Sequence, residues 1–158
     1  MKKIRFLVDA VIIDYNNAML NYTFFDHTAD IGVEIFGQTR KELFANASLA
    51  LKEILFDIPS TEPLRGRKKI ITVEGADTTD LLINYLREIL YLVNGEGWIV
   101  RNAEITRCGS KRLTANLQLE PFDQKKYAIK VELKAVTYHN ASVKKEHSGW
   151  RAKVIFDV

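Results

Sequence analysis

The sequence predicts an α+β fold, with two helices packed on one side of a mainly antiparallel or mixed β-sheet. Three observations predict it. Two stretches, about 40–56 and 79–93, repeat apolar residues at helical spacing. Most of the chain from residue 98 onward alternates apolar and polar residues with period two. The order is strands, helix, strand, helix and then a run of strands, which suits helices segregated to one side of a sheet. A chain of 158 residues with 47% hydrophobic content fits one domain with one core. Its charged residues, 27% of the total, are mixed in sign and argue against global disorder.

Each element has a local justification. Residues 22–25 and 31–36 read as short strands on either side of the polar run Asp26-His27-Thr28-Ala29-Asp30. Thr39-Arg40-Lys41-Glu42 fits a capping box, in which the Thr39 hydroxyl accepts an orphan N–H and Glu42 reaches back to the cap. Leu43, Ala47, Ala50, Leu51 and Ile54 follow at helical spacing, and Pro59 and Pro63 mark the loop beyond. Ile70, Ile71 and Val73 make 69–74 a strand. Asp77, Thr78 or Thr79 caps the second helix. Its stripe of Leu81, Leu82, Tyr85, Leu86, Ile89, Leu90 and Val93 is wide enough to require burial against a sheet. Asn94-Gly95 ends it, with Gly95 expected in a left-handed conformation. Strands follow at 98–100, 103–108, 113–119, 128–138 and 150–156. The strand 128–138 is long and apolar on one face, which predicts a central place. Ser148-Gly149 reads as the hairpin turn before the last strand.

Residues 1–20 read as a non-targeting N-terminal extension. Asp9 and Asp14 interrupt the apolar residues behind Lys2-Lys3, and no small-residue cleavage site follows. Met19 is an alternative start, and the organised domain spans 21–158. The one cysteine, Cys108, permits no intrachain disulfide. It reads as a half-buried strand residue in a reducing, cytoplasmic protein. No apolar run is long enough to span a membrane. The formal charge of +3 is mild. The basic runs Arg65-Gly66-Arg67-Lys68-Lys69 and Lys144-Lys145 read as solvated loop or strand edge. A passive RNA-binding module is therefore the weakest functional class. P-loop, dinucleotide fingerprint, nucleophile elbow and zinc-deaminase patterns are all missing, which argues against nucleotide binding through a standard motif and weakens the reading as an independent enzyme.

The chemistry concentrates in three places. In Asp26-His27-Thr28-Ala29-Asp30, two carboxylates flank an imidazole and a hydroxyl. That composition suits a hard cation or proton transfer, and it equally suits a polar turn whose Asp26 and Thr28 bond nearby backbone N–H groups. Near the end of the chain, Asp157 stands beside the α-carboxylate of Val158 at the end of a strand, unless the tail is frayed. Lys134 sits in an otherwise apolar stretch, either snorkelling to solvent or meeting a carboxylate or phosphate. His27, His139 and His147 form no local zinc motif. Carboxylate donors prefer Ca2+, Mg2+ or Mn2+, and two aspartates would need carbonyls, the terminal carboxylate, Thr28 or water to complete the shell.

These same segments resemble the signatures of the archease family. Asp26-His27-Thr28-Ala29-Asp30-Ile31-Gly32 resembles the first signature. Lys134-Ala135-Val136-Thr137-Tyr138-His139 resembles the second, and Val154-Ile155-Phe156-Asp157-Val158 resembles the acidic C-terminal end. The similarity runs from about Tyr22 to Val158, with the motifs in the expected order. The resemblance implies an accessory protein rather than an enzyme. It would activate an RtcB-type RNA ligase, promoting its guanylylation and multiple turnover in tRNA splicing or RNA repair, and would meet tRNA only through the ligase. It implies a divalent cation, usually Ca2+, held by Asp30 and Asp157 with Val158 adjacent, and a functional role for Lys134. Asp26, His27, Thr28 and His139 then become residues that hold the ligands in place. The alternatives are a metal-dependent hydrolase or phosphotransferase acting alone, with His27 or His139 as base, and a chaperone-like partner of RNA-modifying proteins.

Overall fold

Capping chemistry sets where both helices begin. The Thr39 hydroxyl accepts from the Glu42 N–H at 3.1 Å. The Glu42 carboxylate in turn accepts from the N–H of Gln38, one residue ahead of the expected cap. Helix α1 (Arg40–Leu55) follows. Asp77, among the three candidate caps, accepts from the Asp80 N–H at 2.8 Å, and the Asp80 carboxylate accepts from the Ala76 N–H. Helix α2 (Thr78–Asn94) starts there. Gly95 is right-handed at its end, with φ −90°, and differs from the left-handed expectation. A Cβ at Gly95 would stand 2.9 Å from Tyr91, so closeness rather than handedness selects glycine there. The left-handed turn comes at Gly97, with φ +72°.

The computed structural model describes residues 21–158, and the expected N-terminal extension, 1–20, lies outside them. The strands are β1 (Tyr22–His27), β2 (Asp30–Gly37), β3 (Arg67–Glu74), β4 (Trp98–Cys108), β5 (Arg112–Pro121), β6 (Ala135–Glu146) and β7 (Gly149–Asp157). Among the described residues they form two sheets, in the orders β1-β2-β7-β6 and β3-β5-β4, and every pairing is antiparallel. The α+β class and the antiparallel pairing thus hold, while the strands divide between two sheets. Both helices pack on both sheets and lie between them. That is why α1 buries Leu43, Phe44, Ala47, Ala50, Leu51 and Ile54, and α2 buries Leu81 through Ile83 as well as Tyr85, Leu86 and Ile89. They meet Val33, Ile35, Val154 and Phe156 from one sheet and Leu113, Ala115, Leu117 and Leu119 from the other in one contiguous core.

Three expectations change. Residues 98–108 form one strand rather than two, bulged at Arg101 and Thr106. The hairpin turn is His147-Ser148, with Gly149 opening β7 at φ +132°. The supposed central strand 128–138 is mostly not a strand: β6 begins at Ala135 and lies at a sheet edge. Among the described residues, 128–133 have no strand beside them beyond a single bridge from Ile129 to Phe56, and only the Lys134 N–H reaches β7, at the Asp157 carbonyl. Their backbone groups bond to helix ends instead. The Lys130 N–H donates to the Leu55 carbonyl at 2.8 Å, and the Asn94 amide donates to the Leu133 carbonyl at 2.9 Å. The alternation that resembled a strand buries Leu133 against the helix ends and exposes Lys130, Glu132 and Lys134. It breaks on entry to β6, where Val136 rather than Ala135 is buried.

The Arg101 bulge sets a charged side chain on the same side of the sheet as Glu120, where Tyr127 and the loop around Glu62 cover it. Arg101 and Glu120, 4% and 8% exposed, form a buried ion pair. The Tyr127 hydroxyl donates to Glu120 at 3.2 Å and the Lys126 ammonium at 3.0 Å, while Arg101 also donates to the Glu62 carbonyl at 3.1 Å. Burial opposes the Glu120 charge, but the bonds from Lys126, Arg101 and Tyr127 outweigh it and hold the carboxyl below its ordinary range. This cluster ties the loop around Glu62 and the segment beyond β5 to the three-stranded sheet. Cys108 ends β4 half-buried, and burial pushes its thiol up, away from nucleophilic reactivity.

Candidate metal and partner site

The polar pentapeptide is a two-residue hairpin turn. Thr28 and Ala29 both have positive φ, 26° and 66°, as a turn of this length requires. Glycine or asparagine usually fills such positions, and a β-branched threonine there costs on the order of 1 kcal/mol. The turn pairs His27 with Asp30. Ile31 pairs with Phe156 on β7, so Asp30 stands one register step further, across from Asp157. Asp157 pairs with Ala135 on β6, and its carbonyl accepts from the Lys134 N–H at 2.8 Å. One row therefore crosses the sheet end through His27, Asp30, Asp157 and Ala135. Ile31 and Phe156 point into the core, so this row faces outward by strand alternation. Cβ atoms directly opposite on neighbouring strands lie about 5 Å apart, close enough for Asp30 and Asp157 to share an ion.

The other predicted residues divide. Asp26 pairs with Ile31 and so belongs to the opposite face parity from Asp30. Its side chain is exposed, as is that of Thr28. His27 is in contact: its Nδ1 lies 3.8 Å from an Asp30 carboxylate oxygen and is buried with no hydrogen-bond partner among the described residues. The His139 ring lies 5.3 Å from that of His27, although β6 and β1 are separated by two strands. A wide bulge between Thr137 and Ser142, with Asn140 at φ 51°, carries His139 across the outer face. Lys134 is exposed in the segment leading into β6, next to Asp157. Val158 follows Asp157 directly and is half-buried.

Two residues missed in the sequence hold the Lys134–His139 segment to α2. The Tyr138 hydroxyl donates to the Asp80 carboxylate at 2.5 Å. The Arg87 guanidinium lies 4.6 Å from the Tyr138 ring centre and donates to the Val136 carbonyl at 3.2 Å. The Tyr138 bond, followed by that from the Ala76 N–H, holds the Asp80 carboxyl below its ordinary value. The same bond pushes the Tyr138 phenol up. Asp80 and Arg87 are seven residues apart and share one helix face, which was the only sequence signal for them.

Among the described residues no group of three or more His, Cys, Asp or Glu side chains is arranged to hold a metal. Two neighbouring carboxylates, Asp30 and Asp157, form an oxygen-only donor set. Such a set suits a hard cation completed by carbonyls and water. Among the described residues, the Nδ1 of His27 beside Asp30 is a buried polar atom of this row without a hydrogen-bond partner.

Known proteins share this arrangement of chain. The archease protein family (MTH1598/TM1083) matches residues 22–158. Protein archease of Methanosarcina barkeri is 33% identical over 141 residues, covering 87% of this chain and 95% of that protein. Protein archease of Pyrococcus abyssi is 33% identical over 145 residues, covering 89% of this chain and all of that protein. The solution structure of Methanobacterium thermoautotrophicum protein 1598 is similar with a TM-score of 0.69 and 29% identity, over 89% of this chain and all of that one. The crystal structure of a Thermotoga maritima protein, described as an archease and possible chaperone, is similar with a TM-score of 0.56 and 25% identity, over 85% of this chain and 94% of that one. With the match running from the first strand to the last residue, the chain belongs to the archease family.

Proposed function

We propose that this protein is a non-catalytic activator of an RtcB-type RNA ligase, promoting ligase guanylylation and repeated turnover. In this reading Asp30 and Asp157, with Val158 adjacent, hold a divalent cation, Ca2+ by preference and Mg2+ or Mn2+ as substitutes. The cation gives the sheet end a fixed positive centre among acidic groups. Lys134, exposed beside Asp157, meets a phosphate or a carboxylate of the ligase. His27 positions Asp30 from the neighbouring strand. Family membership supports the accessory role. The observation that carries the reading is the register, which sets Asp30 across from Asp157 with the Lys134 backbone bonded to the latter. The test mixes the protein with an RtcB-type ligase, GTP and Ca2+ and follows ligase–GMP formation. Asp30→Ala and Lys134→Ala should each abolish stimulation while the fold persists; undiminished stimulation by both would refute the assignment.

A second reading, a metal-dependent hydrolase acting alone, draws on the unpaired His27 Nδ1 near Asp30 as a base. It predicts phosphoester turnover by the protein without any ligase, lost in Asp30→Ala. The possible chaperone role attributed to the Thermotoga maritima protein is compatible with the activator reading, since both act on a partner protein.

A further inference from the structure

We propose that the outer face of the three-stranded sheet binds the phosphate backbone of a folded RNA directly. The inner face of this sheet is buried under the helices, so its outer residues are the alternate ones. Their register makes a grid. Lys68 pairs with Gln118 and Gln118 with Asn102; Ile70 with Asn116 and Asn116 with Glu104; Thr72 with Thr114 and Thr114 with Arg107; and Glu74 with Arg112. Arg65 stands at the entry to β3 and Lys111 in the turn between β4 and β5.

Charge on the face is uneven. Five cations, Arg65, Lys68, Arg107, Lys111 and Arg112, meet two carboxylates, Glu74 and Glu104, and all seven are exposed. Arg112 is 3.6 Å from Glu74, while the other four cations form no ion pair among the described residues. The sequence hides this gathering, because residues 65–68 and 107–112 are far apart in the chain and the whole chain is only +3. A bulge at Thr106 completes it. Without that extra residue, strand alternation would turn Arg107 toward the core. The outer face of the other sheet differs. There Arg151 is paired with Glu34 at 2.8 Å, and the sheet end carries Asp30 and Asp157.

Amides and hydroxyls lie between the cations. Asn102 and Asn116 offer donors and acceptors suited to phosphate and 2′-hydroxyl groups, while Gln118 donates to the Arg65 carbonyl, Thr106 donates to the Thr114 carbonyl, and the Thr72 and Thr114 hydroxyls bond each other. The Asn116 side-chain oxygen is buried and lacks a partner among the described residues. Lys68 and Glu74, at either end of the grid, are about 20 Å apart along the strand, a span that covers several phosphates. The face carries no aromatic platform for stacking bases, and Ile70, 72% exposed, is its one large apolar side chain. Those features favour backbone contact with structured RNA over single-strand stacking or insertion into a lipid surface. The inference is independent of the metal site, because it requires neither the ligase nor a cation.

The experiment titrates the purified protein, without ligase, into a fluorescently labelled tRNA transcript and follows anisotropy between about 50 and 200 mM salt. Four phosphate contacts predict a slope of about −3 in log K against log salt, a loss of roughly 60-fold across that range. Lys68→Ala with Arg107→Ala should weaken binding at low salt by at least about tenfold and reduce the slope by about 1.5. Lys144→Ala with Lys145→Ala, on β6 of the other sheet, should change neither, and both double variants should keep the parent melting temperature because all four side chains are exposed. A flat salt response, or equal losses in the two double variants, would overturn the proposal. So would displacement of the labelled tRNA by polyglutamate as effectively as by unlabelled tRNA, since that marks an acidic protein as the partner. Ligase stimulation that survives Lys68→Ala with Arg107→Ala separates this outcome from the fate of the activator reading.

Discussion

Replacing Asp30 with asparagine should move stability in opposite directions with and without Ca2+. Asp30 and Asp157 stand across from each other on adjacent strands. At about 5 Å and near-aqueous screening, their repulsion is roughly 1 kcal/mol. Asp30→Asn keeps the shape and removes that repulsion, so the metal-free protein should melt about 2–4 °C higher. The wild type, at Ca2+ one hundred times its dissociation constant, should gain about 2.7 kcal/mol. For a chain of this size that is about 5–10 °C. The variant should gain almost nothing. Differential scanning calorimetry in EDTA and across a Ca2+ series reads both effects, and the first should shrink as salt rises. A wild type whose melting temperature ignores Ca2+, or a variant that responds as fully as the wild type, would refute the shared-ion reasoning. A metal-free variant that melts several degrees lower would refute the repulsion.

The remaining predictions concern the scaffold around the site. Arg101→Ala leaves the buried Glu120 with only Lys126 and Tyr127. It should cost about 3 kcal/mol, seen as a melting temperature lower by about 6–12 °C, whereas Arg101→Met combined with Glu120→Met should recover most of it. Folding holds the Glu120 carboxyl below its ordinary value of 4.5. Its contribution is therefore complete above that pH and is lost as pH falls through the depressed value, so acid melts of the wild type should steepen there and those of the Arg101-Glu120 double methionine variant should not. Gly149→Ala places a Cβ 2.5 Å from the Gly37 carbonyl oxygen at φ +132°, and urea denaturation should show a loss of about 2 kcal/mol.

Much of this fold was legible because the signals are local. Thr39 and Asp77 cap helices with their own side chains, and the apolar spacing behind them needs no distant partner to be read. The alternation in β5 and β7 was equally plain. The misreadings have specific causes. Residues 128–134 alternate like a strand because they lie on helix ends with one side buried, and period two records burial rather than strand pairing. Gly95 was assigned a left-handed turn, but glycine there answers the closeness of Tyr91. The bulges at Arg101 and Thr106 were invisible, since a bulge depends on which residues of the partner strand it faces. At the candidate site, Asp30, Asp157 and Lys134 were marked by residue type and motif, whereas the divergence of Asp26 from Asp30, the approach of His139 to His27 and the anchoring by Asp80 and Arg87 were not.

The sequence by itself determined both helices and their starts, most of the strands, the α+β class and the family. Each of these is encoded within a few neighbouring side chains. Only the tertiary structure decided that the strands split into two sheets around the helices, that Asp30 lies across from Asp157, and that Lys68 and Arg107 share a face. Those outcomes depend on register between distant strands, where a shift of one residue sends every side chain to the other side. The register is fixed by the burial of residues such as Ile31 against Phe156, and that partnership exists only once the chain is folded.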